Sequence, residues 1–308
     1  MNLNSGRTTL IEAVADAQRR RAESAIRPPK DIEIFVEGHT DRKYLQKHNH
    51  DSKYTIKVFE KNRRGGKDLI IGEIQEKNAN TYAIVDMDHD FATDKLRNWD
   101  KKAGRFVRLP IVDTKNQCCL FAFGFEHSNG IKISTFCSDI IKRVCKRLQK
   151  EEIDLMQIQV IMLDALKRNE LNLHQYLRSR TIARLYRGHS RQRIDKNITR
   201  KHGLQIWDNV ALKEERQVSD LVNKKRFTKY KKFKQLYSDE LEQIGYNDHE
   251  VEAAIVLLFE KFYPDFHQHR EIIFKIVRRE FSIKFVSLSK REHWMHFLQE
   301  LKKVSDLE

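Results

Sequence analysis

Carboxylate side chains follow two short apolar stretches of the sequence. The first stretch precedes Glu37 and Asp41, and the second precedes Asp86, Asp88 and Asp90. A short apolar run is typical of a buried strand, and residues that emerge from such strands lie at the sheet edge where α/β proteins bind ligands. Crowded carboxylates repel one another unless a cation joins them, and oxygen ligands without Cys or His suit Mg²⁺ or Mn²⁺. The two clusters therefore predict a divalent-metal site.

Strand geometry sharpens this expectation. Side chains at i and i+2 of a strand share a face, so Asp86 and Asp88 point the same way, and Asp90 either joins them or caps a helix. If the two strands are neighbours, Glu37 faces this pair, while Asp41 lies in the first turn of a helix, where the helix dipole also explains it. Such a site suits phosphodiester chemistry: metal-bound water is activated, and Glu37 takes part in proton transfer.

The chain is strongly basic, which predicts a polyanionic partner. It has 308 residues, with 59 Lys and Arg against 44 Asp and Glu, a net charge of +15. Residues 178–234 hold 18 basic and 5 acidic residues, a net +13. Interleaved aromatics there could stack on unpaired RNA bases, although a solvated helical face with its aromatics in the core is the alternative. The predicted nucleic-acid contacts are Arg178, Arg180, Arg184, Arg187, Lys224, Lys225, Arg226 and Lys229.

The periodicity of apolar residues predicts an α/β fold with a mostly parallel sheet flanked by helices, followed by a mainly helical C-terminal region. Strands are predicted at residues 32–36, 54–59, 82–85 and 106–109. Helices are predicted from Thr40, acting as a cap, and over 67–77, 139–148, 155–167, 173–186, 248–262, 270–281 and 289–304. A capping box of Ser289 and Glu292 opens the last of these.

Three regions are expected: an N-terminal helical extension (1–30), a catalytic α/β domain (31–130), and a helical basic region for RNA, oligomer and partner contacts (131–308). The four cysteines form no CxxC pair and are expected to be reduced thiols in the core. No apolar run approaches the ~20 residues that span a bilayer, so a cytoplasmic protein without a membrane partner is predicted.

The motif Glu37-Gly38-x-x-Asp41, followed by Asp86-x-Asp88, resembles the Toprim domain of bacterial primases, topoisomerases, OLD-family nucleases and RNA maturases. The resemblance covers residues 31–115. It implies a Mg²⁺ site in which Glu37 is the acid/base or metal-linked glutamate, Asp86 and Asp88 are ligands, and Asp41 supports them or binds a second metal. Gly65-Gly66-Lys67 is similar to the OLD-type pattern, which implies that Lys67 offsets charge in the transition state.

The layout of the whole chain resembles the Toprim effector of PARIS anti-phage systems. A Toprim-like segment near the N-terminus is followed by a basic helical region, and no P-loop occurs in the sequence. The resemblance implies a toxic effector held by a separate ABC-type ATPase, which dimerises on release and cuts host tRNA. The leading expectation is therefore a Mg²⁺-dependent endoribonuclease. The alternatives are an OLD-type DNA nuclease or nickase and a non-catalytic RNA-binding module.

Overall fold

A computed structural model of the chain describes residues 32–51, 53–59, 70, 80–86, 106–109, 119–128, 130–190, 232, 235–236 and 245–305. The predicted N-terminal extension and the predicted helix over 67–77, apart from Ile70, lie outside these residues. So does most of the basic stretch between 191 and 244.

Four parallel strands form the described sheet, in the spatial order β2-β1-β3-β4. They are β1 (Ile32–Val36), β2 (Tyr54–Val58), β3 (Thr81–Asp86) and β4 (Phe106–Leu109). Each strand is formed by a stretch rich in β-branched and aromatic residues, as the sequence predicts. The register pairs Val36 of β1 with Ile84 of β3, so the residues that follow β1 emerge beside the last residues of β3.

Apolar side chains cover both faces of the sheet, which is the normal state of a parallel sheet. Ile34 and Val36 of β1 join the main core on one face. Phe35 of β1 lies on the other face, in a smaller cluster with Phe59 and Ile70. Because successive strand side chains alternate between faces, the unbroken apolar run of β1 supplies both clusters.

Eight helices are described. They are α1 (His39–Gln46), α2 (Leu120–Glu126), α3 (Ile133–Gln149), α4 (Met156–Arg168), α5 (Glu170–Ser190), α6 (Asp248–Phe262), α7 (Phe266–Ser287) and α8 (Arg291–Ser305). The prediction for α6 is confirmed at both ends, and the Asn247 side chain caps this helix by accepting the His249 N–H at 3.1 Å. The predicted α3, α5 and α7 are confirmed in position, but each is longer than predicted.

The helical region packs directly on the sheet layer. A continuous cluster of buried side chains runs from β1 through α2 to α3, α7 and α8. Phe121 of α2 is at its centre, with its ring 5.4 Å from Phe136 of α3 and 5.2 Å from Phe281 of α7. The predicted α/β class, with a parallel sheet flanked by helices and a helical C-terminal region, is confirmed.

Two predicted helix caps are wrong. Gly38, not Thr40, occupies the cap position of α1, and the Thr40 hydroxyl instead hydrogen-bonds the Ser282 hydroxyl at 3.0 Å. The Ser289 hydroxyl donates to the Tyr44 carbonyl at 2.6 Å rather than serving the first turn of α8. In both cases a contact about 240 residues away along the chain takes the side chain that local sequence assigned to a cap.

Cys119, Cys137 and Cys145 are buried free thiols, as predicted. Burial raises the pKa of the Cys137 and Cys145 thiols to about 12, so both are inert as nucleophiles. Among the helices that the structure describes, none combines the length and the apolar character needed to cross a bilayer.

Candidate functional site

Glu37 and Asp86 meet at the carboxyl edge of the sheet. Glu37 follows the last residue of β1, and Asp86 is the last residue of β3, the strand paired with β1. The Glu37 Oε1 accepts a hydrogen bond from the Asp86 backbone N–H at 2.9 Å. The predicted facing of the two acidic clusters is therefore present between these two residues.

Asp41 turns back toward the same edge. It lies in the first turn of α1, as predicted, and its Oδ2 is so close to Gly38 that a Cβ there would lie 3.0 Å away. Gly38 also connects β1 to α1, and the Arg42 N–H donates to its carbonyl at 3.0 Å. The glycine thus gives the Asp41 carboxylate room beside the turn that follows Glu37. We call Glu37, Asp41 and Asp86 the acidic edge.

Helix α2 fixes the orientation of Asp86. The Leu120 backbone N–H, at the start of α2, donates to Asp86 Oδ1 at 3.0 Å. The preceding Cys119 donates its thiol to the Tyr246 carbonyl at 3.9 Å, which joins this end of α2 to the segment before α6. One oxygen of Glu37 and one of Asp86 are therefore each held by a backbone amide, and these donors offset the crowding of two negative charges.

The chemistry of the acidic edge fits a hard divalent cation, because the donors are carboxylate oxygens. Within the described residues, however, no group of three or more His, Cys, Asp or Glu side chains is arranged to hold a metal ion. Asp88, Asp90 and Lys67, which were predicted to complete the site, lie outside the described residues. Glu37 and Asp86 would be the described ligands of Mg²⁺ or Mn²⁺, with Asp41 beside them.

Two of the predicted RNA-binding arginines are ion-paired inside the protein. Glu250 of α6 accepts from Arg180 Nε at 3.0 Å and from Arg184 Nε at 3.2 Å. The Glu250 side chain is only 8% exposed, against 18% and 31% for the two arginines. Burial alone would raise the pKa of Glu250, but the two guanidinium groups outweigh it and hold this pKa below its usual value. The geometry gives Arg180 and Arg184 a structural role between α5 and α6.

Of the other predicted nucleic-acid contacts, the structure describes the side chain of Arg178 alone. Arg178 lies near Tyr246, whose pKa burial raises to about 12 while the positive charge of Arg178 opposes the rise. The Tyr246 hydroxyl also hydrogen-bonds His174 of α5. The side chain of Arg187 lies outside the described residues, as do Lys224, Lys225, Arg226 and Lys229.

Sequence reasoning missed two functional contacts of this region. The Leu120 amide that holds Asp86 gives no sequence signal, because any residue could supply it. Glu250 did give one: it precedes Val251, Ala254 and Ile255 on the buried side of α6, and a carboxylate at a buried position must be paired.

Comparisons with known proteins add no constraint. No family model matches the chain, and no curated protein or solved structure matches it. The function is therefore inferred from the residues and their geometry.

Proposed function

We propose that this protein is a Mg²⁺-dependent endoribonuclease of Toprim type whose reactive centre is the acidic edge. The observation that supports the proposal is the Glu37–Asp86 contact: two carboxylates, 49 residues apart in sequence, converge at the carboxyl ends of adjacent parallel strands. Ligands of α/β proteins bind at this edge of the sheet. The basic composition of the chain supports a phosphate polymer as the substrate.

The side chains of the acidic edge have separable roles in this proposal. A divalent ion bound there would supply Lewis-acid chemistry at the phosphodiester and activate water. Asp86, with one oxygen oriented by the Leu120 amide, is the proposed metal ligand. Glu37 is the candidate for proton transfer, with its Oε1 held by the Asp86 amide. Asp41, in the first turn of α1, would support the metal.

Isosteric substitutions test this assignment without disturbing the fold. Glu37→Gln and Asp86→Asn each retain an amide oxygen that can accept the backbone N–H while removing the negative charge. We expect each variant to lose RNA cleavage by on the order of 100-fold or more, with an unchanged melting temperature. The matched control is Glu33→Gln, which removes a carboxylate from β1 but breaks only an exposed pair with Lys57.

The assay incubates purified protein with Mg²⁺ and either total RNA or supercoiled plasmid. Cleavage of RNA that EDTA stops, and that Glu33→Gln retains, supports the proposal. Nicking of plasmid with intact RNA would identify the protein as an OLD-type DNA nuclease instead. Binding without any Mg²⁺-dependent cleavage, alone or with a partner, would identify a non-catalytic RNA-binding module. Undiminished RNA cleavage by both Glu37→Gln and Asp86→Asn would refute the assignment of the site.

The resemblance to PARIS effectors extends the proposal to the biological role. Structured RNA, and tRNA in particular, is the proposed substrate, a separate ABC-type ATPase is the proposed regulator, and a homodimer is the proposed active state. Expression of the chain alone should then be toxic, Glu37→Gln should be harmless, and the end-mapped RNA fragments should derive from tRNA. Toxicity of Glu37→Gln equal to that of the wild type would contradict this extension.

A further inference from the structure

A row of basic side chains covers the outer surface of the α3–α7 helix pair. Residues 142–150 of the chain contain five Lys and Arg and no Asp or Glu, and residues 275–284 contain four Lys and Arg and one Glu. The side chains of this surface that are exposed to solvent are Lys142, Arg143, Lys146, Lys150, Lys275 and Arg279. We call these six residues the basic face. Sequence counting did not select them, because most of the net charge lies in residues 178–234.

Two ion pairs align the helices so that these side chains share one surface. Arg147 of α3 pairs with Glu280 of α7, and Lys284 of α7 pairs with Asp139 of α3. Arg143 lies one helical turn from both Asp139 and Arg147, so it lies along the same flank of α3.

The exposed cations form rows along both helices. Lys142, Lys146 and Lys150 are spaced four residues apart, as are Lys275 and Arg279. Residues at this spacing are neighbours on a helix surface.

The cations of the basic face have no acidic partner among the residues that the structure describes. Like charges four residues apart destabilise a helix by a few tenths of a kcal/mol per pair, so the row weakens α3. The helix dipole accounts for basic residues in the last turn of α3, but not for Lys142 or for Lys275 and Arg279 in the middle of α7. A binding function explains all six.

The basic face leads to the acidic edge. Arg279 lies one turn from Ser282 on the same side of α7, and the Ser282 hydroxyl hydrogen-bonds Thr40, which adjoins Asp41. A polyanion lying on Lys146 and Arg279 would therefore approach the first turn of α1.

We infer that the basic face binds the phosphate backbone of the RNA and directs it toward the acidic edge. RNA as the polyanion, rather than another, rests on the proposed function. Arg180 and Arg184, which are paired with Glu250, are not part of this proposed surface. Its RNA contacts are instead the exposed cations of the basic face. Phosphate contacts release counterions, so this binding must weaken steeply with salt.

The test compares two triple variants of the full chain that each remove three positive charges. The first, Arg143→Gln/Lys146→Gln/Arg279→Gln, removes three of the six positive charges of the basic face. The control, Lys167→Gln/Lys261→Gln/Arg291→Gln, neutralises exposed cations elsewhere. Affinity for bulk tRNA is measured in EDTA at several salt concentrations, so that the result does not depend on cleavage.

The first variant should bind tRNA at least about tenfold more weakly than the wild type at 100 mM salt. The slope of log affinity against log salt concentration should be smaller in magnitude by roughly two to three, since each lost phosphate contact reduces this magnitude by about one. The control should change the slope by less than about one. Equal losses in both variants would show a general charge effect and overturn the inference. Tighter binding of the wild type to anionic vesicles or polyglutamate than to tRNA would also overturn it.

The failure of this proposal is distinguishable from failure of the proposed function. RNA cleavage that requires Glu37, combined with a basic face that does not affect binding, would refute only the present inference. Salt-dependent binding through the basic face without any cleavage would refute only the nuclease assignment.

Discussion

The acidic edge differs in its charges from the group of Glu250, Arg180 and Arg184, which we call the Glu250 cluster. At the acidic edge, carboxylates of the same sign converge, and backbone amides of Asp86 and Leu120 hold them. In the Glu250 cluster, one buried carboxylate is neutralised by Arg180 and Arg184. In the second arrangement the carboxylate is already paired with cations of the protein. The first gathers negative charge at the ligand-binding edge of a sheet, which is an arrangement that a cation stabilises.

A run of charge in the sequence does not by itself identify a binding surface. Arg180 and Arg184 belong to the most basic part of the chain, yet they stabilise the contact between α5 and α6. The basic face belongs to two helices outside that part of the chain, and its cations are exposed. A cation that is already paired inside the protein has a structural role, whereas an exposed and unpaired cation can bind a phosphate.

The largest predicted effect breaks the Glu250 cluster. Glu250→Ala leaves two guanidinium groups without their carboxylate in a partly buried contact, so the free energy of unfolding should fall by about 3 kcal/mol or more. Urea denaturation followed by circular dichroism measures the change. Asp164→Asn is the control, because its pair with Arg168 is exposed and should contribute less than about 0.5 kcal/mol. Equal effects of the two substitutions would contradict a structural role for Arg180 and Arg184.

The Glu250 cluster should also make the stability of the protein depend on pH in the acidic range. The pKa of Glu250 is below its usual value in the folded protein, so its stabilising contribution is present at pH above about 4.5 and is lost as the pH falls through the lower folded value. Between pH 5 and pH 3, Glu250→Ala should therefore lose less stability than the wild type. Parallel pH profiles of the urea midpoint would argue against the pairing.

Gly124→Ala tests helix α2, which both orients Asp86 and contacts the C-terminal helices. A Cβ at Gly124 would lie 2.5 Å from the Tyr44 hydroxyl, which forms a hydrogen bond with His293 Nδ1 at 2.5 Å. Because Tyr44 is fully buried, it cannot move freely, and we expect a loss of about 1–3 kcal/mol. The loss should be smaller in a Tyr44→Phe background, where the nearest clashing atom is absent. An equal loss in both backgrounds would contradict the predicted clash.

His293 is a buried group that the fold keeps uncharged near neutral pH. Burial, together with the nearby His127, Lys290, His48 and His296, lowers the pKa of His293 to about 4. Between this value and the usual pKa of about 6.5, the unfolded chain binds a proton at His293 and the folded chain does not. The contribution of neutral His293 to the free energy of unfolding is therefore present above about pH 6.5 and is lost as the pH falls toward 4.

The measurement is the urea midpoint at pH 7, 6 and 5. The wild-type midpoint should fall over this range, and that of His293→Gln should fall less, since glutamine retains an acceptor for the Tyr44 hydroxyl without titrating. An unchanged pH profile in His293→Gln would mean that other groups control the acid sensitivity.

The smallest predicted effect on stability concerns Gly38→Ala. The added Cβ would lie 3.0 Å from Asp41 Oδ2, the far end of a side chain that can move. The free energy of unfolding should therefore change by less than about 1 kcal/mol. The displaced carboxylate should nevertheless weaken Mg²⁺-dependent activity. In an Asp41→Ala background, Gly38→Ala should have no further effect on activity. An additive effect would show that Asp41 is not the group that Gly38 accommodates.

The sequence predicts the parts of this molecule whose signals are local. The apolar runs of β1 and β3 and the carboxylates that follow them place Glu37 near Asp86, and the periodicity of α6 gives both ends of that helix. The parts that it missed depend on residues distant in sequence. Thr40 contacts Ser282 instead of capping α1, and Glu250 binds arginines 66 and 70 residues away. No local pattern specifies such partners, because tertiary packing decides them.

Calorimetric titration of Mg²⁺ tests most directly whether the acidic edge is a metal site. We expect saturable binding to the wild type and to Glu33→Gln, and a loss of at least about tenfold in affinity for Asp86→Asn, whose backbone anchor at Leu120 is retained. Identical Mg²⁺ binding by Asp86→Asn and the wild type, or no binding by either, would show that the acidic edge is not a metal site.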